Sequence, residues 1–105
     1  MINDQMKILF EQNKARDDEY PAEVEGIWER EKTVLCSSLE DTIAYLKEAT
    51  PEELFYVSEV FDDISEYWQS EKLVDVMQEA ADRCEGEIKE TLQMNVDFAR
   101  RALKK

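Results

Sequence analysis

Only two glycines and two prolines interrupt this 105-residue chain, against ordinary usage of about 7% and 5%. Ala, Leu, Glu, Lys, Gln and Met supply much of the remainder. A chain so poor in turn residues and so rich in helix formers is expected to fold as helices with short connections, not as a turn-rich β architecture. There is enough apolar material for a core: 43% of residues are hydrophobic and 10% aromatic, including Trp28 and Trp68. A disordered acidic tail would lack those rings. The length suits one domain, residues 1–105.

The periodicity predicts a compact all-α bundle of about five or six amphipathic helices. Residues 2–14 carry Ile2, Met6, Leu9 and Phe10 at helical spacing, followed by the polar stretch NKARDDEY. Pro21 suits a first helical turn, and Val24, Ile27, Trp28, Glu31 and Leu35 then keep a mostly apolar period to about Thr33 or Cys36. Ser37 or Ser38 is placed to cap a third helix, with Leu39, Ile43 and Leu46 as its buried stripe, that stops near Ala49.

The sharpest boundary is Thr50-Pro51-Glu52-Glu53. A Thr cap, a Pro at the first position and a Glu at the third favour initiation through both side-chain bonds and the helix dipole. A helix over 51–68 puts Leu54, Val57, Val60, Phe61, Ile64 and Trp68 on one arc and Glu52, Glu59, Asp62, Asp63 and Glu66 on the opposite one. Tyr56 and Tyr67 fall on the border, and Phe55 falls inside the acidic arc. Ser70 caps a helix over 71–84 with Leu73, Val76, Met77, Ala80 and Cys84 inside and Val74 and Ala81 towards its edge. Gly86 ends it. A last helix over about 87–103 buries Ile88, Leu92, Val96, Ala99 and Leu103, and Arg100, Arg101, Lys104 and Lys105 follow at its C-terminus.

Charge is concentrated in the middle of the chain. Between Thr50 and Cys84 ten acidic residues face only Lys72 and Arg83, so −8 of the net −13 lies there. Glu71, Asp75, Glu79 and Asp82 stand at i, i+4, i+8 and i+11, one column of like charges on a helix. Such a column costs a few tenths of a kcal/mol per pair, which points to a use for it: a cationic protein partner, a divalent metal, or solubility. An isoelectric point near 4.3 argues against nucleic acid and anionic lipid, which require phosphate-neutralising Lys and Arg.

Chemistry of the catalytic kind is poorly supplied. There is no histidine, which removes the commonest general base, the Ser-His and Cys-His pairs and nearly all catalytic zinc sites. No phosphate-cradling glycine loop and no DxDxDG calcium loop is present. Cys36 and Cys84 have no CxxC partner, and although the two could form one disulfide, core thiols are the commoner state of two such cysteines in an intracellular chain. Glu59, Asp62, Asp63 and Glu66 offer carboxylate pairs, but opposite the apolar stripe they lack the burial that separates two pKa values. No enzymatic activity, cofactor or metal is therefore expected. No stretch approaches about 18 apolar residues and the N-terminus lacks a signal-peptide pattern, so a cytoplasmic protein is expected.

The segment LFYVSEVFDDISEYWQS, followed by EKLVDVMQEAADRC and IKETLQMNVDFARRAL, resembles the small all-helical immunity proteins encoded beside bacterial polymorphic and contact-dependent growth-inhibition toxins. The likeness covers residues 50–103 and contains no invariant catalytic signature. It implies a non-enzymatic cytoplasmic antidote that binds a cognate toxin domain, often a nuclease or another basic enzyme, and occludes it. Tyr20-Pro21 is only a fragment of the tyrosine pair before proline typical of colicin DNase immunity proteins, so that family's binding residues are not carried over.

The expected partner-binding face consists of Phe55, Tyr56, Glu59, Asp62, Asp63, Glu66 and Tyr67, helped by Glu71, Asp75, Glu79 and Asp82. The competing reading is an acidic chaperone-like or dimerising helical module, whose acids serve solubility and whose interface is an apolar stripe.

The column yields a first test. Glu71→Gln combined with Asp75→Asn relieves like-charge repulsion and should leave the thermal midpoint unchanged or slightly raised. A fall of several degrees would show that those carboxylates hold bonds the sequence does not announce.

Overall fold

The computed structural model describes residues 2–16 and 19–104. Asp17 and Asp18 of the predicted polar stretch, and Lys105 of the predicted basic end, lie outside the described residues. The described chain is helical throughout, with no strand: α1 (Asn3–Ala15), α2 (Pro21–Leu35), α3 (Leu39–Glu48), α4 (Pro51–Val57), a 3-10 turn (Ser58–Val60), α5 (Phe61–Trp68), α6 (Glu71–Asp82) and α7 (Gly86–Arg101). Counting α4, the turn and α5 as one interrupted rod gives six helices, an all-α bundle as the periodicity predicts.

Local chemistry explains the starts. The Thr50 hydroxyl accepts the Glu53 N–H at 3.2 Å while the Glu53 carboxylate accepts the Thr50 N–H at 3.2 Å, a complete capping box. The Ser38 and Ser70 hydroxyls accept from the N–H groups of Asp41 and Leu73. Gly86 has φ +64°, the left-handed region that glycine enters without strain, where the chain turns from α6 into α7. The Arg83 guanidinium donates to the Leu46 carbonyl at 2.9 Å and so satisfies an orphan acceptor at the end of α3.

The predicted single helix over 51–68 is tightened in its middle by two tertiary contacts. The Ser58 hydroxyl donates back to the Phe55 carbonyl at 2.9 Å and accepts from the Asn95 amide at 2.9 Å. Glu59, the next residue, is gripped by Arg16. A back-bonding serine competes with the regular ladder, and the backbone takes up 3-10 geometry that reaches φ −110° at Val60.

One cluster of buried residues forms the core, with Leu46, Leu54, Phe61, Ile64, Leu73, Met77 and Leu92 wholly enclosed. α7 lies along both α5 and α6, α1 along α2, and α3 along α6. Because α6 is covered on two sides, Val74 and Ala81 are fully buried and not at an edge as predicted. α5 and α7 run parallel, tied by Ser65 Oγ donating to the Ala99 carbonyl at 2.6 Å and by the Gln69 amide donating to the Ala102 carbonyl at 2.9 Å.

Gln69 closes α5 in the left-handed conformation, φ +50°, a strained choice for a residue with a Cβ. Its side chain offsets that strain: the amide also donates to the Glu66 carbonyl, and its Oε1 accepts the Lys104 N–H at 2.7 Å. Gln69→Ala keeps the strain and loses the bonds, while Gln69→Gly loses the bonds and relieves the strain. Chemical denaturation should therefore rank wild type above Gly and Gly above Ala, with Ala down by about 1 kcal/mol or more. Equal stability of Ala and wild type would show that the ties carry no net energy.

Candidate partner-binding surface

The structure distributes the expected face over three environments. Asp62 and Glu66 lie on the flank of α5 that borders α7, since Ser58, Ser65 and Gln69 of the same flank bond α7 directly. Asp63 and Tyr67 lie towards α2, where the Lys32 ammonium stands 3.9 Å from the Asp63 carboxylate. Partial burial, reinforced by Asp62 and opposed by Lys32, pushes the Asp63 carboxyl above its usual range. Tyr67 is 62% exposed and meets Trp68 edge-on at 5.0 Å. Glu71, Asp75, Glu79 and Asp82 are all exposed on α6. Asp82 accepts from Gln78, and Arg100 of α7 borders a shallow hollow with Glu71 and Asp75. α7 thus stands between the acids of α5 and the column of α6.

Tyr56 and Glu59 are drawn inward instead. The Arg16 guanidinium forms a two-pronged pair with Glu59 at 2.8 and 3.2 Å and lies 5.4 Å from the Tyr56 ring centroid. Tyr56 also touches Phe10, with ring centroids 6.0 Å apart. Phe55 stays 37% exposed, its ring edge-on to Tyr56. Of the two rings beside each other on α4, one faces solvent and the other secures α1.

Two exposed apolar residues on α7 were not singled out by the sequence reading: Met94 at 51% and Phe98 at 44% exposure. The signal was present, because both fall off the stripe Ile88, Leu92, Val96, Ala99 and Leu103, as Phe55 falls off its own. The Arg101 guanidinium sits 5.5 Å from the Phe98 ring.

A buried polar cluster lies behind the surface. Glu31 is 1% exposed; one carboxyl oxygen is 3.4 Å from the Asn13 amide and the other has no hydrogen-bond partner. Burial first and the Glu59 charge second push its pKa up to about 8, against smaller opposing effects of Asn13 and Arg16. Burial and the Glu59 charge both favour the neutral form of Glu31 at pH 7. Cys36 and Cys84 are free thiols, both pushed up by burial. Among the described residues no cluster of three or more His, Cys, Asp or Glu side chains is arranged to hold a metal ion, and no helix is long and apolar enough to cross a membrane.

Glu31 gives the fold a pH signature. Its folded pKa lies above the unfolded value of 4.5, so its contribution is fully present below pH 4.5 and declines as pH rises towards about 8, at up to about 1.4 kcal/mol per pH unit. Glu31→Gln should flatten that decline and stabilise the protein most on the alkaline side, measured by urea unfolding across the window. Parallel stability curves for variant and wild type would mean that Glu31 ionises in the folded state as it does in the unfolded one. No protein-family model, curated protein or solved structure matches this chain, so the functional reading stands on its residues and geometry.

Proposed function

We propose that this chain is a non-enzymatic immunity-type protein that binds and neutralises a cognate toxin domain of basic character through its acidic helical face. One observation supports the reading most. Asp62, Glu66, Asp75 and Glu79 are exposed and make no salt bridge among the described residues, and the rings of Phe55 and Tyr67 are exposed on the same rod of α4 and α5 that carries the first two. Unpaired acids steer a cationic partner, and rigid rings anchor it once docked. A net charge of −13 sharpens the preference for a cationic partner.

A second reading, an acidic chaperone-like or dimerising module, draws support from the apolar hollow between α1 and α2 lined by Ile8, Leu9 and Val34, with Ile8 60% exposed. Salt separates the two. Affinity carried by the acids falls steeply as ionic strength rises, whereas affinity carried by the hollow does not.

The direct test is complex formation with the product of the open reading frame beside this chain's gene, together with protection of cells that express it. Asp62→Lys, at a position with no salt bridge to lose, combined with Glu66→Lys, should slow association by about an order of magnitude or more. Phe55→Ala should act mainly on dissociation, at a cost of about 2 kcal/mol. Wild-type rates and protection in the charge-reversed protein would remove the acidic face from the interface.

A further inference from the structure

Phe55, Asp62, Glu66, Met94 and Phe98 converge on one seam, and we infer that this seam, where α4 and α5 meet α7, is the docking surface for a cationic protein segment that presents an apolar side chain between Lys or Arg residues. The inference rests on the acidic-face reading and narrows it to one part of that face. Register carries it. Asn95 bonds Ser58, Ala99 accepts from Ser65 and Ala102 accepts from Gln69, so the contacts advance in the same direction along α7 and along the rod from α4 to α5. In that parallel register Phe98 falls beside Asp62 and Glu66, and Met94 falls beside the turn at Phe55 and Ser58.

Phe55, Met94 and Phe98 are 37%, 51% and 44% exposed, and apolar side chains exposed next to one another are more telling than the same residues scattered singly. Asp62 and Glu66 make no salt bridge among the described residues. The α6 column has acids without an exposed ring among the described residues, and the hollow between α1 and α2 has apolar walls bordered by Arg30 as well as Glu29; one cation, Arg101, also borders the seam, 5.5 Å from the Phe98 ring. The seam brings together three partly exposed apolar side chains and two acids that make no salt bridge among the described residues. Charge complementarity selects the occupant: a second copy of this chain would bring −13 against −13, whereas a cationic segment gains from both acids. The seam is also stiff, because buried and half-buried hydrogen bonds fix α7 to α5 before any partner arrives.

The test uses the full chain and two defined probes: a helical peptide with Leu and Trp on one face and Lys and Arg on the other, and a lysine-only peptide of equal charge. Amide shifts induced by the amphipathic peptide should centre on residues 55, 62, 66, 94 and 98. Met94→Ser combined with Phe98→Ser should weaken that peptide by about tenfold or more while changing affinity for the lysine peptide by less than about twofold. Both substitutions are on exposed positions; if the variant nonetheless loses helicity, the wild-type shift map decides. Shifts centred on Asp75 and Glu79 or on Ile8, or undiminished binding by the variant, overturn the seam and leave the acidic-face reading standing. Binding of neither peptide at low salt overturns both. Concentration-dependent shifts at Phe98 in the protein alone would show a second copy as the occupant and likewise overturn the inference.

Discussion

The Arg16 guanidinium is the contact on which the N-terminal half of the structure turns. It follows α1, yet its partners lie on other elements: Glu59 in the 3-10 turn, the Tyr56 ring on α4, and Glu31 within electrostatic reach on α2. Its side chain is 13% exposed and that of Glu59 26%. A two-pronged pair so poorly solvated is stronger than a surface ion pair, and also more costly to break, since either partner alone is a poorly hydrated charge. One cation cannot satisfy two nearby carboxylates. Burial eases the conflict by favouring the protonated form of Glu31, which leaves Glu59 to take the two-pronged pair with Arg16.

That arrangement shows where sequence reasoning succeeds and where it stops. Helix starts were legible because their causes are local: a Thr and a Glu three apart, a Ser before an apolar period, a Pro in the first turn. The apolar stripes of α5 and α7 were legible for the same reason. The break in the rod over 51–68 was not, because it follows from Ser58 meeting Asn95 and Glu59 meeting Arg16 across 37 and 43 residues of chain. Glu31 is the instructive intermediate. Its place on an apolar period was visible, but the protonation that makes the place tolerable depends on Glu59 and on complete enclosure.

The expected binding surface divides along the same line. That Asp62, Glu66 and the α6 column would be exposed follows from the helical wheel. The wheel treats each helix alone, however, so it placed Glu59 and Tyr56 with their neighbours when α1 was waiting to cover them. It also had no means of bringing α7 beside α5, which is why Met94 and Phe98 remained separate oddities until the parallel register joined them to Asp62. Exposed apolar residues off a helix stripe were legible in the chain, and of Ile8, Phe55, Met94 and Phe98 only Phe55 was read.

The acidic surface and the tightly closed core belong together. Net charge of −13 on a body with extents of 36 × 31 × 23 Å repels itself, and that repulsion weakens the compact state at every pH where the carboxylates are ionised. A wholly buried core and helix ends closed by Ser, Thr, Gln and Arg side chains hold the fold against it. On the proposed reading, a cationic partner acts on both sides of this balance: it gains from the unpaired acids of the folded surface and, by binding the folded state, shifts the folding equilibrium further towards it. A helix column that appears wasteful in the isolated chain then has a consistent physical role, since the repulsion it introduces alone is the attraction it supplies in the complex.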